Sequence, residues 1–390
     1  MNKSDVSSLL AVAASVAALQ PASAESQSAV AAPAASSAPT ALQAPLQSTA
    51  DAPPVQTTYR FYGALEVHGI RDFGRPGPSD LFTDLASQPL DDSVVPKGRT
   101  RYTAETSRLG FEAATPLAGS QLAGKLEADF YGYSADKRNK LRVRQAYVEY
   151  SGFLVGKTWS TFMDLDGLPE TVDFNGPIGA PFSRRTMVRY SFGDAEKNLK
   201  WTFALESPKD LFNGGSNSEK TPIFVTRVDK NVSNGAFNVR VMTHEKRSPQ
   251  DVKRGYGFGA GGRYKLSDKD TLMAQYTRVD GDIDMLYGSN GYTIDPVTGS
   301  LTFDKNQGLV LGYARLFSDQ LRGSVALGFN RGKTAQALDN RTLQQMFVNL
   351  IYTPVKNLDL GLELIYGQRK NFSDNPGTMS RMDVMARYSF

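Results

Sequence analysis

The chain has 390 residues, room for one large domain or two ordinary ones, and its 44 basic against 40 acidic residues leave a formal charge of only +4, too mild to suggest nucleic acid as a partner. It has no cysteine and two histidines, His68 and His244, which removes disulfides, thiolate metal sites and thiol catalysis together and suits a chain that crosses an oxidising compartment unfolded. Beyond the N-terminus no apolar run reaches the length of a membrane helix. A mean hydropathy of −0.36 does not exclude a membrane barrel, which hides half of its strand residues from lipid.

Residues 1–24 read as a secretory signal: Lys3 in a short leading region, an apolar stretch over 7–19, and Ala22-Ser23-Ala24 as a small-residue cleavage site. From 25 to 56 the chain is alanine, proline, serine and glutamine with almost no large side chains. Such a segment buries too little apolar area to offset its ordering entropy, so it is expected to be a disordered periplasmic tether. Residues 57–390 then form a single unit.

Within that unit apolar and polar residues alternate again and again. Leu199, Trp201, Phe203 and Leu205 alternate with Lys200, Thr202, Ala204 and Glu206; Tyr256, Phe258 and Ala260 with Gly257, Gly259 and Gly261; Leu358, Leu360, Leu362 and Leu364 lie two apart. Side chains on a strand point alternately to its two faces, so each segment has one apolar and one polar face. Short connections rich in turn formers lie at 115–119, 151–152, 193–195, 233–235, 267–269, 318–319 and 353–357. Long ones lie near 72–102, 132–138, 160–183, 208–220, 247–253, 281–305, 331–341 and 370–379. Seven short and eight long connections in strict alternation join sixteen strands, the pattern of an all-β, antiparallel up-and-down transmembrane barrel with short periplasmic turns and long extracellular loops. A soluble sandwich alternates similarly, but it needs neither this loop asymmetry nor the aromatic end of the chain. There Met382, Val384, Ala386, Tyr388 and Phe390 alternate with Arg381, Asp383, Met385, Arg387 and Ser389; Tyr388 and Phe390 are the expected signal to the outer-membrane assembly machinery.

A sixteen-stranded barrel is too wide for side chains to fill, so a loop is expected to narrow it. The third long loop, 160–183, carries Asp164, Asp166, Glu170 and Asp173 and no basic residue, and Pro169, Gly176, Pro177, Gly179 and Pro181 keep it irregular. Arg184, Arg185 and Arg189 follow directly. A charge on the lipid face costs about 2–4 kcal/mol at mid-depth; with Val188, Tyr190 and Phe192 facing lipid, Arg185 and Arg189 turn inward. The same rule turns Arg60, Lys125, Lys200, Arg240, Arg263 and Arg322 inward. An acidic loop against an arginine wall would set up a transverse field favouring anions, unless these arginines merely pair with inward acids such as Glu66, Glu127, Asp129 and Glu363. One strand is untidy: Gln145 and Glu149 share a parity with Leu141 and Val143, which a bulge or a subunit contact would explain.

Other motifs point to no chemistry. Gly156-Lys157-Thr158 has no glycine at phosphate-loop spacing and sits in a strand pattern. His68 and His244 lack a Gly-x-Ser-x-Gly partner, and the acids of 160–183 match no calcium-loop spacing. No catalytic residue, metal or cofactor is expected. Two other readings stay open: a barrel enzyme of lipase or protease type using either histidine, and a plugged structural or adhesin barrel.

The run Val155-Gly156-Lys157-Thr158-Trp159-Ser160-Thr161-Phe162-Met163-Asp164, continuing through Leu168-Pro169-Glu170-Thr171-Val172-Asp173-Phe174 to Arg184-Arg185, resembles the DcaP-like porins of Gram-negative bacteria. The resemblance extends over roughly 57–390. It implies a homotrimeric sixteen-stranded outer-membrane porin admitting small organic anions, dicarboxylates especially, in contact with outer-membrane lipid and lipopolysaccharide. Such proteins carry a longer, helical periplasmic extension after the signal; here that region is short and broken by proline.

Overall fold

A computed structural model describes residues 56–132, 140–208, 219–333 and 336–390; the expected signal segment and all but the last residue of the expected tether lie outside them. The strands are β1 (Thr58–Asp72), β2 (Arg99–Thr103), β3 (Arg108–Leu117), β4 (Ser120–Gly132), β5 (Lys140–Tyr150), β6 (Phe153–Trp159), β7 (Arg184–Asp194), β8 (Leu199–Glu206), β9 (Ile223–Val232) and β10 (Gly235–Arg247). They continue with β11 (Val252–Lys265), β12 (Asp270–Asp280), β13 (Tyr292–Ile294), β14 (Leu301–Phe303), β15 (Lys305–Ser318), β16 (Leu321–Lys333), β17 (Asn340–Val355), β18 (Leu358–Asn371) and β19 (Pro376–Ser389).

All pairings are antiparallel, and the sheet closes where β1 meets β19 from Ala64↔Ser389 to Asp72↔Arg381. The lower half of β1 pairs with β3 and its upper half with β2, so β2 and β3 are one stave interrupted at 104–107. β13 and β14 form a separate hairpin inside the sixth long loop. The wall is thus the sixteen-stranded barrel read from the alternation, and closure removes the unpaired edges that lipid cannot solvate. At the seam Phe390 and Gly63 exchange backbone hydrogen bonds of 3.0 and 3.1 Å, so the terminal aromatic completes the cylinder.

The turns follow the expected residues. Ser151 and Gly152 both take positive φ, 48° and 84°, the primed geometry that matches strand twist in a two-residue hairpin. Along β7, Val188, Tyr190 and Phe192 are exposed outward while Arg185 and Met187 are buried. The untidy strand is resolved by a bulge. The β4–β5 register shifts between Glu127 and Ala128, and Arg144 is the extra residue, bonded to Glu127 and Asp129 at 2.9 and 2.6 Å. Leu141 and Val143 therefore face lipid, while Gln145 turns to the lumen and accepts from the Thr158 hydroxyl at 2.9 Å.

The lumen is less polar than the alternation suggests. Leu154, Met187, Ala204, Val225 and Met242 on inward faces enclose Phe162 of the third loop with Met285 and Leu286 of the sixth. A second cluster joins Ile178 of the third loop and Leu85 of the first to Leu343, Phe347 and Ile365. Three long loops thus fold into the bore on apolar anchors, and this inward docking positions the site.

Candidate pore constriction

The third loop leaves the wall through a narrow neck. Ser160 donates its backbone N–H to the Ser183 carbonyl at 2.9 Å, and buried Glu206 accepts from the Ser160 hydroxyl and the Thr161 N–H, each at 2.7 Å. From there it runs along a groove that glycines open in the inner wall. A Cβ on Gly257 would meet Phe162 at 3.0 Å, on Gly312 Pro169 at 2.8 Å, on Gly328 the Ile178 carbonyl at 2.5 Å and on Gly361 Val172 at 2.8 Å; on Gly261 it would strike the Asp164 carboxylate and on Gly308 the Gly179 backbone. Each is an inward position where only a missing side chain lets the loop lie flat on the sheet.

The four acids of the loop meet strand arginines other than those that follow it in sequence. Asp164 lies 3.5 Å from Arg240 with neither side chain exposed, and Asp166 lies 3.2 Å from Arg263. Glu170 takes a bidentate pair from Arg322 at 2.9 and 3.0 Å and lies 3.6 Å from Arg387. Asp173 accepts backbone N–H groups from Thr83, Asn175 and Gly176 at 2.7 to 3.2 Å and lies 3.8 Å from Arg381. Burial pushes the Asp173 carboxyl up to about 6, against the opposing pull of Arg381. The tip is seated by Glu363, which accepts the Val172 and Asp173 N–H groups at 3.0 and 2.7 Å. The carboxylates are spread along the wall, and among the described residues no acid or histidine cluster is placed to hold a metal ion.

The arginines after the loop do other things. Arg185 is buried and tied to the sixth loop, 3.6 Å from Asp282 and 3.3 Å from Asp284, and it donates to the Ser207 carbonyl at 2.9 Å. Burial raises the Asp282 carboxyl, but Arg185 and Lys246 outweigh it and hold the group at about 2. Arg184 alternates with Arg185 and lies over the Trp159 indole, 3.4 Å from its centroid. Arg189 is half-buried on the inward face of β7. Arg60 and Lys125 both reach Glu112, at 2.6 and 2.9 Å, and flank the Tyr62 ring.

Facing the free side of the loop is a cavity of about 180 Å³, lined by Pro169, Thr171 and Phe174 of the loop and by Glu66, Arg108 and Arg387 of the wall. Arg108 keeps its Nε without a hydrogen-bond partner. Arg142 and Arg144 stand nearby over the Phe174 ring, 5.5 and 5.3 Å from its centroid. The sequence reading missed Arg108, Arg142, Arg144, Arg381 and Arg387. The last two were legible, because they share the polar face of the terminal strand. His68 is clamped through both ring nitrogens, by Asp383 at 2.9 Å and Glu66 at 3.0 Å.

The profile of the DcaP outer membrane protein family matches residues 41–390. The chain belongs to the DcaP outer membrane protein family. Among solved structures, the outer membrane channel DcaP of Acinetobacter baumannii matches with a TM-score of 0.78 at 29% identity, over 86% of this chain and 97% of that one. OmpT of Vibrio cholerae matches with a TM-score of 0.59 at 14% identity, over 86% of this chain and 98% of that one. An anion-selective porin from Comamonas acidovorans matches at 0.59 and 12%, over 86% of this chain and 100% of that one. These last two share the fold. No curated protein matches in sequence. The DcaP family places this barrel in the outer membrane as a channel.

Proposed function

We propose that this DcaP-family channel is a homotrimeric porin for passive diffusion of small hydrophilic solutes, with a preference for organic anions such as dicarboxylates. The observation that carries the reading is the pairing along the third loop. Its acids are neutralised at the wall by Arg240, Arg263, Arg322 and Arg381, whereas the cavity on its free side is lined by Arg108, which among the described residues forms no ion pair within 4 Å and whose buried Nε has no hydrogen bond. A solute in that gap feels the wall's positive charge more than the loop's negative charge, through Arg108 and, further along the lumen, Arg189, since Arg142 and Arg144 are already paired with Glu127 and Asp129. The constriction thus selects by size through the docked loop and by charge through Arg108 and Arg189, which among the described residues no carboxylate pairs within 4 Å. The family resemblance and the trimer form of Vibrio cholerae OmpT, a fold relative, support the trimer.

Reversal potentials across a salt gradient in a planar bilayer test the selectivity. A chloride preference that weakens in Arg108→Gln supports it; a potassium preference in the unaltered protein overturns it. A plugged barrel would show no conductance steps. The barrel-enzyme reading needs a histidine nitrogen free for a nucleophile; both nitrogens of His68 are held by carboxylates, whereas His244 bonds the Asp280 carbonyl through Nε2 and buries Nδ1 without a hydrogen bond, so ester hydrolysis lost in His244→Ala would favour that reading. We also infer that residues 1–24 direct export, that residues 25–56 form a periplasmic tether, and that Tyr388 and Phe390 are read by the barrel-assembly machinery.

A further inference from the structure

Three adjacent strands put an unusual set of side chains on the lipid side of the barrel. β12 pairs with β15 through Arg278↔Gln307 and Asp280↔Lys305, and β15 pairs with β16 through Gln307↔Arg331 and Lys305↔Lys333. The exposed positions of β15, Lys305, Gln307, Leu309 and Leu311, alternate with buried Asn306, Gly308 and Val310. The lumen therefore lies behind this grid and the membrane in front of it. Arg278, Lys305, Arg331 and Lys333 are exposed. The grid holds four cations, one amide and a single carboxylate, Asp280, which lies 3.5 Å from Arg278.

Lys305 and Lys333 are direct cross-strand partners, the placement in which like charges destabilise a sheet. Among the described residues neither forms an ion pair with an acid within 4 Å, and the same is true of Arg331. The two rows stand at the ends of the strands that carry the long loops. Just below them the outward face turns apolar, with Leu309, Leu311, Val325, Met346 and Val348 exposed. Cations on a lipid-facing wall are tolerated near the interface, where their cost falls to about 0–1 kcal/mol, and long stems let the charged heads rise toward water.

We propose that this grid on β12, β15 and β16 binds the phosphate headgroup of an outer-leaflet glycolipid, with its acyl chains lying on the apolar belt below. An anion bridging Lys305, Lys333 and Arg331 relieves the repulsion of the opposed lysines. A phosphomonoester offers several acceptor oxygens to ammonium and guanidinium donors at once. A free anion would meet the charges but leave the apolar belt uncovered, whereas a lipid satisfies both. The proposal rests on the barrel standing in the outer membrane and is independent of which solute crosses it.

The test is native mass spectrometry of the full barrel in detergent, titrated with diphosphorylated lipid A, with the same lipid stripped of phosphate, and with inorganic phosphate. The unaltered protein is expected to retain the diphosphorylated lipid and to release the stripped one. A Lys305→Gln, Arg331→Gln, Lys333→Gln variant is expected to bind at least about tenfold more weakly, while Lys305→Arg with Lys333→Arg keeps affinity. Equal binding of the stripped lipid, undiminished binding by the triple variant, or equally tight uptake of inorganic phosphate overturns the proposal. The comparison of the two lipids on the unaltered protein needs no variant to fold. Channel conductance of the triple variant, expected to be unchanged, separates a failure here from a failure of the porin reading.

Discussion

Asp164 and Arg240 face each other at 3.5 Å with no solvent exposure on either side chain, and this contact pins the base of the third loop to β10. Removing one partner of such a pair leaves a buried charge uncompensated, a cost of about 3–5 kcal/mol. Arg240→Gln should therefore lower the thermal midpoint clearly and make the single-channel current noisy. Asp164→Asn combined with Arg240→Gln should recover part of the loss. The Asp166–Arg263 pair is about half exposed, so Asp166→Asn should cost under about 1 kcal/mol. Equal losses at the two sites in thermal melts would contradict this ranking.

The glycine groove predicts a steric phenotype. A Cβ on Gly308 runs into the backbone of Gly179, whereas one on Gly124 meets only the Tyr147 carbonyl at 3.9 Å. Gly308→Val should lift the loop from the wall, raising conductance and exposing the loop to added protease. Gly124→Ala should leave both unchanged. A Gly308→Val channel with unaltered conductance and protease resistance would show that the loop does not rest there.

Two loop carboxyls give opposite pH dependences. Asp173 is raised to about 6 by burial, so its contribution to stability is full below the ordinary carboxyl range and is lost as pH rises through about 6. The stability difference between wild type and Asp173→Asn should change by about 3 kcal/mol between pH 4 and pH 7, read from denaturant melts. Asp282, held at about 2 by Arg185 and Lys246 against burial, contributes above the ordinary range and fails as pH falls toward 2. Its Asn variant should lose most near neutrality and differ least in acid. Parallel curves for the two variants would contradict the assigned environments.

The chain end supplies a fourth test. Phe390 is paired with Gly63 at the seam, and its ring lies where a Gly63 Cβ would stand, 2.7 Å away. Phe390→Ser should keep the backbone pairing, and hence refolding in detergent, while lowering the amount of folded protein in outer membranes. Unreduced membrane yield would remove Phe390 from the assembly signal.

Much of the barrel was legible because lipid on one side and water on the other impose a period of two on every stave. Val188, Tyr190 and Phe192 against Arg185 and Arg189 is that rule in five residues. The bulge at Arg144 was not legible, since it shows only as a broken parity that a subunit contact would also produce. The acidic loop was visible as composition, but its partners were not. Asp164 finds Arg240 and Glu170 finds Arg322 only through the closed topology, and the nearby Arg185 is taken by Asp284 of another loop. The glycines of β11 were in view as one face of a strand. Their meaning, a groove for a loop, needed the loop to be in place.

The most direct measurement is the reversal potential of the reconstituted channel under a potassium chloride gradient, for the unaltered protein and for Arg108→Gln with Arg189→Gln. The expected result is a potential on the chloride side that moves several-fold toward non-selectivity in the double variant, in line with the loss of two lumen charges. A potential on the potassium side, or one that ignores both substitutions, would contradict a constriction governed by Arg108 and Arg189.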